Sequence, residues 1–325
     1  MASTYEDFAQ SLLKKRKATE QDLALYRTVG EERVGMVVGD CLVKLDSLKQ
    51  DDQMDAEELS ASERDNPFWD MEGNVPECEE APDTVDRRQS QTTIKHQQDR
   101  GTCVCFASLA CLEAILNRQS AEKASDPGLS EQYANWLYMR FEERNQCDDG
   151  LRTTLSARYL SQKGVCEESL APYEDDATVN THCEASPSQE ALDNAKYGIE
   201  RYTIIDRLGL NGPSIANTDY LECVLSLGYD IVFGTHVAWG LSDPVTGIND
   251  VVLDPYGNPL PSRGGHAMLI VGYVKNVDTP YFILKNSWGT DDGNEGYRYL
   301  SYDYIRQYAK YGYIVHAIGT DMPTE

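Results

Sequence analysis

From Cys103 onward, Phe106, Ala107, Ala110, Leu112, Ile115 and Leu116 recur at three- and four-residue steps, the spacing of a helix buried on at least one face. The run follows directly on Gln97-Gln98-Asp99-Arg100-Gly101-Thr102, so Cys103 falls in the first helical turn. Backbone N–H groups there have no intrahelical partner and the helix dipole is positive, which favours thiolate over thiol. Gly101 lets a second backbone approach closely. A thiol in this position, taken alone, is more often a small buried hydrophobe than a nucleophile. The rest of the chain has to supply its partners.

Two apolar runs carry candidates. Gly264-Gly265-His266 opens the run 267–273, and the run 281–285 delivers Asn286-Ser287-Trp288-Gly289. Each is short enough to be a buried strand, and neighbouring strands would present His266 and Asn286 together. Singly, each residue also fits a satisfied histidine or a turn asparagine at a strand end. The combination with Cys103 changes the balance.

These segments together resemble the papain-like cysteine peptidases, in which a Cys-His-Asn set is a variant of the serine triad. Gln97, six residues before Cys103, is similar to the family's oxyanion-hole glutamine. Gly264-Gly265-His266-Ala267 and Lys285-Asn286-Ser287-Trp288-Gly289-Thr290 resemble its histidine and asparagine motifs. Residues 82–86, 129–132 and 293–297 resemble further family segments, so the likeness covers roughly residues 80 to 320. It implies a two-lobed α+β fold, with a helical lobe carrying Cys103, a twisted antiparallel β-sheet lobe carrying His266 and Asn286, and a cleft between them. It also implies roles. Cys103 attacks as thiolate, His266 moves the proton, Asn286 orients the ring, Trp288 shields that contact, and the Gln97 amide with the Cys103 N–H holds the oxyanion. Asp149-Gly150 resembles the segment that binds an extended peptide in β-like fashion; Leu151, Gly264, Gly265 and Ala267 would line an apolar second subsite. Without the resemblance, Asp148-Asp149-Gly150 reads as a turn before a helix near Thr153. By the motif, Cys105 stands where alanine is usual and reads as a packing residue.

The departures from the family pattern are specific. Cys-Gly-Ser-Cys-Trp is replaced by Arg100-Gly101-Thr102-Cys103-Val104, which leaves Cys147 without the partner it has in the family, and position 292, commonly tryptophan, is Asp. His266 and Asn286 follow Cys103 by 163 and 183 residues, against about 130–150 in well-known members. An insertion is therefore expected between Pro172 and Arg263, where Asp-, Gly- and Pro-containing loops interrupt the strand pattern. The Arg-Gly-Thr-Cys-Val form and residues 164–169 are closer to bacterial branches of the family.

A chain of 325 residues, 41% apolar, has the material for one large domain and an appendage. The net charge of −25 is spread along the chain and disfavours nucleic acid and anionic membranes as partners. No apolar run approaches about 18 residues and the N-terminus lacks a basic-then-apolar leader. Nine cysteines form an odd set without a regular framework, which points to a reducing compartment, and cytoplasmic residence is the expectation, with delivery by a non-Sec route left open. No Cys-x-x-Cys or His-Glu-x-x-His spacing occurs, so no metal and no cofactor are expected.

Domain division is expected at residue 78, with a helical segment over 1–78 and the peptidase-like domain over 79–325. Helices are expected near 4–17 and from 19 to 49, where Val34, Val37, Val38, Cys41, Leu42, Leu45 and Leu48 form one stripe. Lys14-Lys15-Arg16-Lys17 would cap the first helix at its negative end. The segment is either an intramolecular pro-segment, for which Asn66, Phe68 and Asp70 are a weak echo, or a permanent domain that recruits a partner. Three functions stay open: a peptidase acting on extended peptides or proteins, a Cys-His-Asn acyl transferase of peptide-ligase or transglutaminase-like type, and a silent binding protein. The first two share a thioester and differ in whether water or an amine accepts the acyl group.

Overall fold

The structure is a computed structural model that describes residues 12, 14–19, 81–98, 100–119, 128–141, 151–174, 186–207, 213–238, 246–262 and 264–323. Its centre is an eight-stranded sheet. In chain order the strands are β1 (Thr84–Asp86), β2 (Gly198–Asp206), β3 (Ile231–His236), β4 (Ile248–Asn249), β5 (Gly265–Val274), β6 (Tyr281–Lys285), β7 (Tyr297–Ser301) and β8 (Ala309–Gly319). They lie in the order β2-β8-β3-β5-β6-β7-β4, with β1 on β5. Pairing is antiparallel throughout except for the two-residue parallel contact of β4 with β7. The expected α+β architecture is present, and the apolar runs 267–273 and 281–285 lie in β5 and β6. The short β1 and β4 were not anticipated, because two or three residues carry no readable periodicity.

The helices are α1 (Cys103–Gln119), α2 (Glu131–Phe141), α3 (Thr153–Gln162), α4 (Gln189–Asp193), α5 (Thr218–Ser226) and α6 (Tyr302–Tyr308). Period-two alternation in β5 divides the hydrophobic interior. Ala267, Leu269 and Val271 join the core built with α1, α2 and α3, whereas Met268 and Ile270 join the core built with α5 and α6. A central strand buried on both faces must be apolar without interruption, as this one is. α1 packs on β5 and is covered by α2 and α3, so its burial extends round the helix from Cys103 to Ala114 rather than along one stripe. β1 can approach β5 only because residue 272 is glycine. A Cβ there would stand 2.2 Å from the Val85 carbonyl oxygen.

The end of the chain uses its tyrosines as core. Tyr304 and Tyr313 are fully buried, and the Tyr304 hydroxyl donates to the His236 carbonyl at 2.8 Å, as a buried phenol requires.

Of the N-terminal segment, residues 12 and 14–19 are described; the expected helix at 19–49 and the linker motif near Phe68 lie outside the described residues. The basic cluster follows Leu12, a helical residue, and the Lys15 N–H donates to Leu12 O at 3.1 Å, which agrees with its expected place at a helix end. Lys14 and Lys15 lie in a turn and bend, and Lys17 forms a parallel bridge with Leu253. The Lys15 ammonium also reaches Asp250 at 2.7 Å and Asp303 at 2.6 Å, long-range contacts that its sequence neighbours do not announce. Leu253 N donates to Arg16 O and Ala18 N donates to Leu253 O. Ala18 completes a small core with Val252 and Leu260.

Cys103, Cys105, Cys111 and Cys166 are free thiols, while Cys223 is disulfide-bonded. Among the described residues, no helix is long and apolar enough to cross a membrane, and no cluster of three or more potential metal ligands occurs.

Candidate active site

Cys103 is the first residue of α1 and is 3% exposed. The loop that delivers it is closely held. The Gln97 backbone N–H donates to Ser287 O at 2.8 Å, and its side-chain Nε2 donates to Arg100 O at 2.7 Å. Tyr173 then clamps the loop from the side: its hydroxyl donates to Gln97 O at 2.8 Å and accepts from Thr102 Oγ1 at 2.8 Å. The Tyr173 ring lies under the Arg100 guanidinium at 4.8 Å and edge-on to Phe106 at 5.0 Å. Gln98 adopts φ 54° inside this loop. The sequence reading missed Tyr173, since nothing local to position 173 signals a contact with residues 97 and 102.

His266 is the second residue of β5 and Asn286 follows β6 directly; both are 3% exposed. His266 Nε2 lies 2.7 Å from Asn286 Oδ1. The direction of this bond follows from the next contact: Asn286 Nδ2 lies 2.7 Å from Asp292 Oδ2. An ionised carboxylate only accepts, so the NH2 end of the amide faces Asp292 and its oxygen faces the ring. His266 Nε2 is therefore the donor. Asp292 is in turn held by Arg298, whose Nε donates to Oδ2 at 2.9 Å while NH2 donates to Oδ1. The Arg298 guanidinium lies over Trp288 at 5.2 Å, and the indole packs against the His266 ring at 4.6 Å. Trp288 thus lies beside the ring that the asparagine holds. Asp292 and Arg298 were not foreseen as a pair, because a hairpin brings them together.

Three observations bring the thiol segment and the histidine to one place. Cys103 and Ala267, the residue after His266, belong to one core. α1 packs on β5. Ala107, one turn along from Cys103, shares a cavity wall with Ala267 and Asn286. That cavity also meets a buried polar cluster in which Lys95 donates to Glu113 at 2.8 Å and to Glu131 at 2.7 Å. Burial is the largest influence on Glu131; Lys95 pulls against it and the Glu113 charge adds to it, leaving its pKa raised to about 8. Burial opposes the charge on Lys95, yet the two carboxylates override it and raise its pKa.

Of the expected substrate-binding residues, Leu151, Gly264 and Ala267 are buried, and Gly101, Gly265 and Trp288 are partly exposed. Asp149 and Gly150 lie outside the described residues. Cys105 is fully buried, as expected of a packing residue, and burial lifts its pKa well above the ordinary thiol range.

A helix-terminal thiol on one lobe and an amide-held imidazole on the sheet of the other define the papain-like class of folds. The chain matches the family model for papain family cysteine protease over residues 81–223 and 249–313, and so belongs to that family. The stretch unmatched within it falls inside the interval where an insertion was expected. Among curated relatives, a viral cathepsin of Cydia pomonella granulosis virus is 30% identical over 218 residues, 66% of this chain and 56% of the relative. Cathepsin K of Gallus gallus is 29% identical over 223 residues, 68% and 59% of the two chains. The chain thus spans little more than half the length of the curated relatives it matches. Among solved structures, xylellain, a cysteine protease from Xylella fastidiosa, superimposes with TM-score 0.56 at 25% identity, covering 73% of this chain and 86% of that one. The Amb a 11 cysteine protease, a major ragweed pollen allergen, in its proform, shares the fold with TM-score 0.52 at 19% identity, covering 74% and 66%.

Proposed function

We propose that this protein is a cysteine peptidase that cleaves extended peptide chains through Cys103, His266 and Asn286. The observation that carries the reading is the 2.7 Å contact of His266 Nε2 with Asn286 Oδ1. It commits Nε2 to the amide and leaves Nδ1 as the nitrogen for proton exchange with a thiol. In this reading Cys103 Sγ, as thiolate, attacks the scissile carbonyl, and the charge on its oxygen is met by the Cys103 backbone N–H and the Gln97 amide. His266 then gives a proton to the departing amine, leaving a thioester. Water, deprotonated by His266, attacks the thioester, the acid departs, and the thiol is restored. Leu151, Gly264, Gly265 and Ala267 are the proposed apolar subsite. Asp149, Gly150 and Gly101 would meet the substrate backbone.

The test is digestion of a peptide library by the full chain and by Cys103→Ala, with mass-mapped thiol labelling across pH. Cleavage by wild type alone, with Cys103 labelled at mildly acid pH, is expected; wild-type-like cleavage by Cys103→Ala would overturn the mechanism. An added amine nucleophile separates hydrolysis from acyl transfer by the product formed.

A second reading takes residues 1–78 as an intramolecular pro-segment; residues 14–19 dock on the same chain, as either such a segment or a permanent appendage would. Loss of roughly 8 kDa over time, at about 110 Da per residue, should then occur in wild type and fail in Cys103→Ala.

A further inference from the structure

The contacts behind Asn286 form a closed circuit. His266 touches Asn286, Asn286 touches Asp292, Asp292 is held by Arg298, Arg298 lies over Trp288, and Trp288 packs on His266. We propose that Asp292 and Arg298 are a positioning pair for His266. Asp292 fixes which end of the Asn286 amide meets the ring, and Arg298 neutralises the charge that Asp292 would otherwise project onto it. The inference rests on the triad reading above and assigns it two further residues.

Two physical requirements support it. An amide has a donor end and an acceptor end of nearly equal shape, so an asparagine held only by a histidine is free to present either. With Asp292 behind it, one orientation satisfies both partners and the other sets oxygen against carboxylate. The second requirement is electrostatic. Asp292 is 7% exposed, and a buried carboxylate one amide away from a ring that must both hold and release a proton would bias it toward holding. The guanidinium removes that bias through two hydrogen bonds to the carboxylate.

The local backbone is shaped for this pairing. Asn286 N donates to Gly296 O and Gly296 N donates to Asp292 O. The turn between them passes through φ 59° at Gly293 and 85° at Gly296, which glycine adopts without strain, and through 53° at Glu295, a left-handed conformation uncommon for a residue with a side chain. A Cβ on Gly293 would also lie 2.3 Å from Tyr297 O. The turn thereby folds Asp292 back under Asn286 and against Arg298 of β7.

Other charged or titratable groups face this region: Cys103 from α1, His236 from β3 beside Gly265, Lys285 at the end of β6, and His96 bridged to Trp288. Across the cavity stand Lys95, Glu113 and Glu131. All of them stay in place in the variants below, so differences between variants report on the pair.

The experiment measures the rate of Cys103 alkylation by iodoacetamide from acid to alkaline pH, with peptide hydrolysis followed in parallel. It compares the full chain with Asp292→Asn, Arg298→Gln and the double variant. Asp292→Asn leaves Arg298 uncancelled and should move the alkaline limb to lower pH; Arg298→Gln leaves Asp292 uncancelled and should move it to higher pH, each by about half a unit or more at these separations. The double variant should return the limb near its wild-type position. Both single variants should lower kcat with KM changed less than twofold. A pair that only ties the loop would lower stability without displacing the limb, and unmoved or same-direction limbs would overturn the proposal. If Asp292→Asn does not fold, Arg298→Gln and the double variant still give the sign. Retained hydrolysis by Cys103→Ala would instead strike the triad itself.

Discussion

Ser287 Oγ donates to Gln97 Oε1 at 2.7 Å, so the residue after Asn286 holds the amide that precedes Cys103 by six positions. One hydroxyl thereby couples the loop entering α1 to the strand end that presents the asparagine. Both partners are buried, and removing the hydroxyl leaves an acceptor unmet, a loss of about 1–3 kcal/mol. Ser287→Ala should therefore lower kcat roughly tenfold by loosening Gln97, on the scale of one oxyanion donor or less. Its KM should change little, and steady-state kinetics on one peptide substrate checks the split.

The thiols should differ sharply in reactivity. Burial holds the Cys105 and Cys111 pKa values far above neutrality and lifts Cys166 to about 12, so all three remain protonated and slow to react. Brief alkylation of native protein near pH 6 should mark Cys103 and spare these three. Cys223 should become reactive only after reduction. Mass mapping of the alkylated peptides tests both statements.

Glu131 should give stability a definite pH slope. Burial holds its pKa in the folded chain above the ordinary 4.5 despite the Lys95 charge, so above that ordinary value the folded state binds more protons than the unfolded state and stability falls as pH rises. The contribution is fully present below the unfolded-state pKa and is lost as pH rises through the folded-state pKa. Glu131→Gln removes this proton uptake while keeping an acceptor for Lys95. Its urea midpoint should therefore gain on that of wild type as pH rises through the interval; parallel midpoints would contradict the assignment.

Lys15 should govern how firmly residues 14–19 are held. Its ammonium is shared by Asp250 and Asp303 and is itself 16% exposed, so the pair of contacts is partly shielded from salt screening. Lys15→Ala should speed hydrogen exchange at the Ala18 amide, which donates to Leu253 O at 2.7 Å, by about five- to thirtyfold for a local loss of one to two kcal/mol. Exchange in the β5 core should not change.

What the sequence made legible was whatever local pattern encodes. The apolar run after Cys103 marked α1, and the uninterrupted runs after His266 and before Asn286 marked strands buried on two faces. His266 and Asn286 stood out because each is polar at the end of such a run. Contacts created by topology were not legible. Asp292 and Arg298 meet only because a turn reverses the chain, Tyr173 reaches Gln97 from a different part of the fold, and Lys15 finds Asp250 far along the chain. For the basic cluster at 14–17 the sequence marked the helix end at Leu12 but not the carboxylates that Lys15 meets across the fold.

The docking of residues 14–19 fixes one end of the following stretch, and Lys275 fixes the other, its N–H donating to Asp83 O and its ammonium to Ala81 O at 2.6 Å. Residues 14–19 and 81–83 are thus both anchored to the body that carries β5, and the separation of these two anchors is set by the folded domain rather than by the chain that joins them. The entropy of closing a chain between two such fixed points grows only slowly with its length.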